Sequence, residues 1–234
     1  MSTHSIEVEA ILFDMDGTLI DSTAAVTKTY LDFCHAHGIE VTGHPHGIRT
    51  RDTMRKYFPD ASEQDIEERT RKFESDIVET AKALEAEGKT GLVVLPNVRR
   101  ILDTIRTHED ADSRYTICTS ATSAFAAAAL EASGIHPPKH LLTAEDCSKG
   151  KPHPEPYLKG AQSLSRDITK CLVVEDAPSG IKSGQAAGAK VLAVCTSHKR
   201  PDLEHLDADF IVDNLEQIEI EVMETGGFRV TIKS

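Results

Sequence analysis

The sequence predicts an α/β chain: a parallel β-sheet with helices on both faces, interrupted after its first strand by a helical insert. Three observations predict it. Short apolar runs bounded by turn residues alternate with helix-patterned stretches, as in a parallel sheet buried on both faces. One long segment, residues 23–92, carries helical periodicity and no convincing strand. Several of the apolar runs end in Asp, Glu, Ser or Thr, at the edge where open parallel sheets bind ligands.

Taken in order, residues 8–13 form the first strand and lead into Asp14. In the insert, Tyr30, Leu31, Phe33 and Cys34 share a helix face ending near Gly38. Residues 62–87 are rich in Glu, Arg, Lys and Ala and read as a long solvated helix, with Ser62 and Asp65 capping its start. Residues 20–22 and 89–96 are the linkers. Helix patterns follow at 97–107, at 121–133 before Gly134, at 154–164 with prolines only in the opening turn, and at 179–187 before Gly188. The intervening strands are Tyr115–Cys118, 171–174, 191–194 and Phe210–Val212. Residues 228–232 alternate apolar and polar, the pattern of an edge strand or a loose tail. The expected organisation is a core of residues 1–20 and 93–234 around an insert of residues 21–92.

Composition narrows the function. The chain is 39% hydrophobic with a formal charge of −12. A nucleic-acid backbone would be repelled by such a surface. A phosphate ester would be repelled too, unless a metal ion and a few placed cations sit in its site. The five cysteines form no C-x-x-C pair, which suits reduced thiols. No apolar run has the length of a membrane span, and residues 1–10 lack a signal-peptide core. The expectation is a cytoplasmic monomer acting on a small phosphorylated substrate, with no nucleic-acid or membrane partner.

The chemistry concentrates at strand ends. Asp14 and Asp16 stand two apart in Asp14-Met15-Asp16-Gly17-Thr18. One carboxylate can attack phosphorus and form an acyl phosphate, while the other protonates the leaving oxygen and activates water. The plainer reading is a turn whose Asp side chains bond their own backbone. Thr119 and Ser120 end the next strand. Lys151 lies in a proline-rich loop, where it can neutralise phosphate and nucleophile together; a surface lysine is the plainer reading. Glu175 and Asp176 end a third strand as a hard-cation site for Mg²⁺, although Asp176 could instead cap the helix that follows. In the insert, Arg49 and Arg51 can hydrogen-bond substrate hydroxyls or a second anion, or lie on the surface. His44 and His46 show no partner cluster and read as solvated loop residues.

These stretches resemble the haloacid dehalogenase superfamily of phosphohydrolases. Its D-x-D-G-T motif is met at Asp14 to Thr18, its Ser/Thr motif at Ser120, its Lys at Lys151 and its acidic pair at Glu175 and Asp176. The resemblance implies a Rossmann-like core and a helical cap. It implies that Asp14 is nucleophile and metal ligand, and that Asp16 is general acid/base and binds the metal through its carbonyl. Ser120, the Ala121 amide and Thr18 belong to the phosphate side, Lys151 orients and neutralises, and Asp176 with Glu175 completes the Mg²⁺ site. The stretches from Gly150 to Gly160, from Glu175 to Ile181 and from His46 to Thr50 resemble the fungal glycerol-phosphate and 2-deoxyglucose-6-phosphate phosphatases more narrowly. A sugar phosphomutase of the same superfamily would use the same core motifs. A non-catalytic module on the same fold would be expected to lack one of them, and none is missing.

Overall fold

The computed structural model describes residues 3–41, 47–224 and 226–233. His44 and His46 lie outside the described residues. In chain order the elements are β1 (Thr3–Val8), β2 (Ala10–Phe13), β3 (Ile20–Asp21), α1 (Thr23–His37), α2 (Thr50–Tyr57), α3 (Glu63–Ala86), β4 (Val93–Val94), α4 (Val98–Arg106), β5 (Tyr115–Cys118), α5 (Ser123–Ser133), β6 (Leu141–Leu142), α6 (Glu155–Ser163), β7 (Cys171–Glu175), α7 (Pro178–Ala187), β8 (Lys190–Val194), α8 (Arg200–Leu203), β9 (Phe210–Val212), β10 (Ile218–Val222) and β11 (Phe228–Lys233).

Six strands form a parallel sheet in the order β6-β5-β2-β7-β8-β9. Alternation along each strand divides its side chains between two cores. Ile11, Phe13, Leu172, Val174, Leu192 and Val194 pack on one face. Ala10, Leu12, Cys171, Val173, Val191 and Ala193 pack on the other. Burial on both faces explains why these strands read as unbroken apolar runs. The order reverses at β2, whose neighbours are β5 on one side and β7 on the other. Such a reversal opens a crevice beyond the carboxyl ends of the strands.

The chain leaves this sheet through β3 and returns through β4, which pair antiparallel. Between them α1, α2 and α3 pack together. Phe33 of α1 meets Phe73 of α3 and Phe58 at the end of α2 edge-on, with ring centroids 5.4 and 6.1 Å apart. The capping box expected at Ser62 and Asp65 is present at the start of α3. The solvated reading of that helix holds for one face only. Ile66, Thr70, Phe73, Glu74, Ile77, Ala81 and Leu84 form a buried stripe along the other.

Two strand readings need correction. The apolar run at 8–13 breaks at Glu9: β2 enters the parallel sheet, while β1 belongs to a separate three-stranded antiparallel sheet ordered β1-β11-β10. The 228–232 segment is neither edge nor tail. As β11 it is the centre of that small sheet, with Phe228, Val230 and Ile232 fully buried. Alternation identified its two faces but carried no information about its partners, which come from opposite ends of the chain.

Candidate active site

The ladder between β2 and β7 continues one residue past β2, where the Asp14 amide donates to the Val174 carbonyl at 3.0 Å. The chain then folds back tightly. The Met15 carbonyl accepts from the amides of Leu19 and Ile20 at 2.9 and 3.0 Å, and the Gly17 amide donates to Ile20 at 2.7 Å. Gly17 has a φ of +85°, and a Cβ there would collide with the Asp176 carboxylate. Glycine therefore lets this loop pass directly beside the end of β7.

Three carboxylates meet as a result. Asp14, Glu175 and Asp176 each place an oxygen within 4.8 Å of the others, and all three are buried. Lys151 Nζ lies 2.5 Å from Asp14 Oδ1 and 2.7 Å from Glu175 Oε1. Glu175 is saturated: Oε1 also accepts from the Tyr157 hydroxyl at 2.7 Å, and Oε2 accepts from the amides of Asp176 and Ala177 at 3.1 and 3.2 Å. Asp176 Oδ1 accepts from the Thr18 hydroxyl at 2.9 Å, and Oδ2 accepts from the Ser197 hydroxyl. Among the described residues, Asp16 Oδ1 is buried with no hydrogen bond of normal geometry. The three buried carboxylates that converge on one point fit a hard cation, which takes oxygen ligands and brings its own waters.

The electrostatics follow from burial. It pushes Asp16 up to about 6, with the nearby Ser22 hydroxyl and then the Lys151 charge opposing. It pushes Asp176 up to about 7, helped by the Glu175 charge. Asp14 is raised by burial and by its acidic neighbours, against the pull of Lys151. Burial alone would lower Lys151, but Asp14 and Glu175 outweigh it and keep the ammonium charged.

Asp14 and Asp16 line a cavity of about 70 Å³. Thr119, Ser120 and Ala121 form one wall, and the insert supplies Tyr30, Phe73, Ile77 and Glu74. Other expected substrate contacts are placed differently. The Thr18 hydroxyl is directed at Asp176, the Ser120 hydroxyl donates to the Gly47 carbonyl at 3.2 Å, and the Ala121 amide donates to Thr119 Oγ1 at 3.1 Å. Arg49 and Arg51 are not among the residues lining this cavity. Arg49 pairs with Asp52 at 2.8 Å and donates to the Cys147 carbonyl at 2.9 Å, clamping the insert to the core. Arg51 is half-exposed and pairs with Glu63.

Sequence reasoning missed Tyr157, Ser197 and Glu74. Ser197 lies just beyond the end of β8, a position of the same kind as Asp14 and Asp176. Glu74 carried a signal too: an acidic residue within the helical stripe that otherwise buries Ile66, Thr70, Phe73, Ile77 and Ala81.

An α/β crevice with an Asp pair, a buried lysine and an acidic strand end defines a hydrolase class that comparison names. The haloacid dehalogenase-like hydrolase family matches residues 11–194, and the chain belongs to it. It is 36% identical over 232 residues to glycerol-1-phosphate phosphohydrolase 2 of Saccharomyces cerevisiae, covering 92% of this chain and 86% of that one. It is 34% identical over 221 residues to hexitol phosphatase A of Escherichia coli, covering 93% and 96%. Among solved structures, a β-phosphoglucomutase from Clostridium difficile shares the fold with a TM-score of 0.72 at 21% identity, over 91% of this chain and 93% of that one.

Proposed function

We propose that this chain is a Mg²⁺-dependent phosphatase of small polyol or sugar phosphates, working through an aspartyl-phosphate on Asp14. The observation that carries the reading is Asp14 itself: a buried carboxylate at the end of the central strand, lining the cavity, with one oxygen held by Lys151. The two relatives named above are phosphatases of a polyol phosphate and of hexitol phosphates, which supports this substrate class.

The residues divide the work. Asp14 attacks phosphorus. Lys151, held by Glu175, which in turn accepts from Tyr157, neutralises the attacking carboxylate and the incoming phosphoryl oxygens. Asp16, raised to about 6, can protonate the leaving oxygen and then take a proton from the attacking water near neutral pH. Ser120 and the Ala121 amide stand beside the phosphoryl position and would exchange their present partners for its oxygens. Asp14, Asp176 and the Asp16 carbonyl would hold Mg²⁺, with Glu175 supporting from behind. When bound, the ion supplies charge neutralisation for the transferring group. The insert closes over the site as a cap. The five cysteines are free thiols, which suits a reducing cytoplasm.

The test is a phosphate-release screen over glycerol, hexitol and deoxyhexose phosphates, with Mg²⁺ and with chelator. Release that needs Mg²⁺ supports the reading. Isomerisation of a sugar phosphate without net release would make the enzyme a mutase, and no turnover in any arm would overturn the reading.

A further inference from the structure

The cavity described above holds acidic side chains at both ends. Asp14 and Asp16 come from the core, and Glu74 comes from α3 of the insert. Among the described residues, no lysine or arginine lines it. Lys151 is committed to Asp14 and Glu175, while Arg49 and Arg51 are committed to Asp52 and Glu63.

Glu74 is only 4% exposed and is held in place. Its Oε1 accepts from the Thr122 amide at 3.3 Å and its Oε2 accepts from the Thr122 hydroxyl. Burial and the nearby Asp16 raise its pKa above the ordinary value, while the two Thr122 donors pull the other way and favour the carboxylate form. A carboxylate offers acceptors only. Around it the insert contributes Tyr30, Phe73 and Ile77, so its charge is poorly screened.

We propose that Glu74 is a specificity-determining residue: it accepts hydrogen bonds from hydroxyls of the ester's organic part and rejects esters carrying a second anionic group. This rests on the phosphatase reading above and narrows it. The phosphoryl group is met by the metal site and Lys151 at the core end. Whatever lies at the insert end must donate hydrogen bonds and must not be negative. A neutral polyol meets both conditions. A carboxylate or second phosphate there would face Glu74 among Tyr30, Phe73 and Ile77, where like charges repel with little screening.

A matched pair tests this: glycerol phosphate, and phosphoglycerate, in which a carboxylate replaces one hydroxymethyl group. With Mg²⁺ present, kcat/KM is measured for both on the wild-type protein and on Glu74→Gln. Gln keeps the size of the side chain and removes its charge. The wild type is expected to prefer glycerol phosphate by about 100-fold or more, and Glu74→Gln to shrink that preference by about tenfold or more. A purely structural role at the start of α5 would slow both substrates alike and leave the ratio unchanged. An unchanged ratio therefore overturns the assignment. Comparable wild-type rates on the two esters also overturn it, with no variant needed, while leaving the phosphatase reading intact. If the wild type hydrolyses neither ester, the assignment falls, and phosphate release from hexitol or deoxyhexose phosphate decides separately whether the phosphatase reading stands.

Discussion

Burial pushes the carboxyls of Asp14, Asp16 and Asp176 up and, acting alone, would push Lys151 down. Lys151 stays charged because two carboxylates face it. Asp16 and Asp176 rise from the ordinary 3.8 to about 6 and about 7 because burial outweighs the groups that lower them. This sets a sign for stability. A carboxylate raised on folding binds its proton more tightly in the folded state, so its favourable contribution is complete below about pH 4 and is lost as pH rises through 6 and 7. Metal-free protein thus carries unneutralised acidic charge near neutrality. Mg²⁺ binding relieves it, so the rise in melting temperature on adding Mg²⁺ should be larger at pH 7.5 than at pH 5. Scanning fluorimetry with chelator and with Mg²⁺ at both values measures this, and an equal or larger increment at pH 5 would contradict it.

At the scale of elements, the helices of the insert dock by one face. Ile66 is fully buried on α3, whereas Glu67 beside it points to solvent. Ile66→Ala should cost about 2–5 kcal/mol by leaving a cavity under α3. Glu67→Ala should stay within about 0.5 kcal/mol. Urea unfolding of both variants checks the contrast, and equal effects would mean that the helix does not dock by this stripe. This is also where legibility of the sequence varied. Strands of the parallel sheet were readable because burial on both faces removes polar residues and leaves bounded apolar runs. The capping box at Ser62 was readable because its chemistry is local. The buried stripe of α3 was hidden by the Glu, Lys and Arg that surround it. The centre position of β11 was unreadable because alternation fixes faces, whereas its partners β1 and β10 are set by packing across the molecule.

At the scale of the whole molecule, the site exists because strand ends far apart in sequence meet at the reversal of the sheet. Asp14, Lys151 and Asp176 were identifiable as residue types suited to phosphate chemistry. Their meeting was foreseeable from the rule that parallel sheets bind at their carboxyl ends. What the sequence did not reveal is how far the insert completes the cavity. Gly47, between the insert and the core, receives hydrogen bonds from both Ser120 and Ser179 at 3.2 and 2.9 Å. Arg49 reaches across to the Cys147 carbonyl of the core at 2.9 Å. Such contacts depend on how the two parts are docked, which no local pattern encodes.

The central claim is that phosphate passes through a covalent bond to Asp14. Rapid acid quench of the enzyme during turnover of glycerol phosphate, followed by peptide mass spectrometry, tests it directly. The peptide containing Asp14 should carry one added phosphoryl group in the wild type and none in Asp14→Asn, whose turnover should fall by about three orders of magnitude or more. A folded Asp14→Asn protein that still hydrolyses the ester near the wild-type rate, or a phosphoryl group found on another residue, would contradict the account.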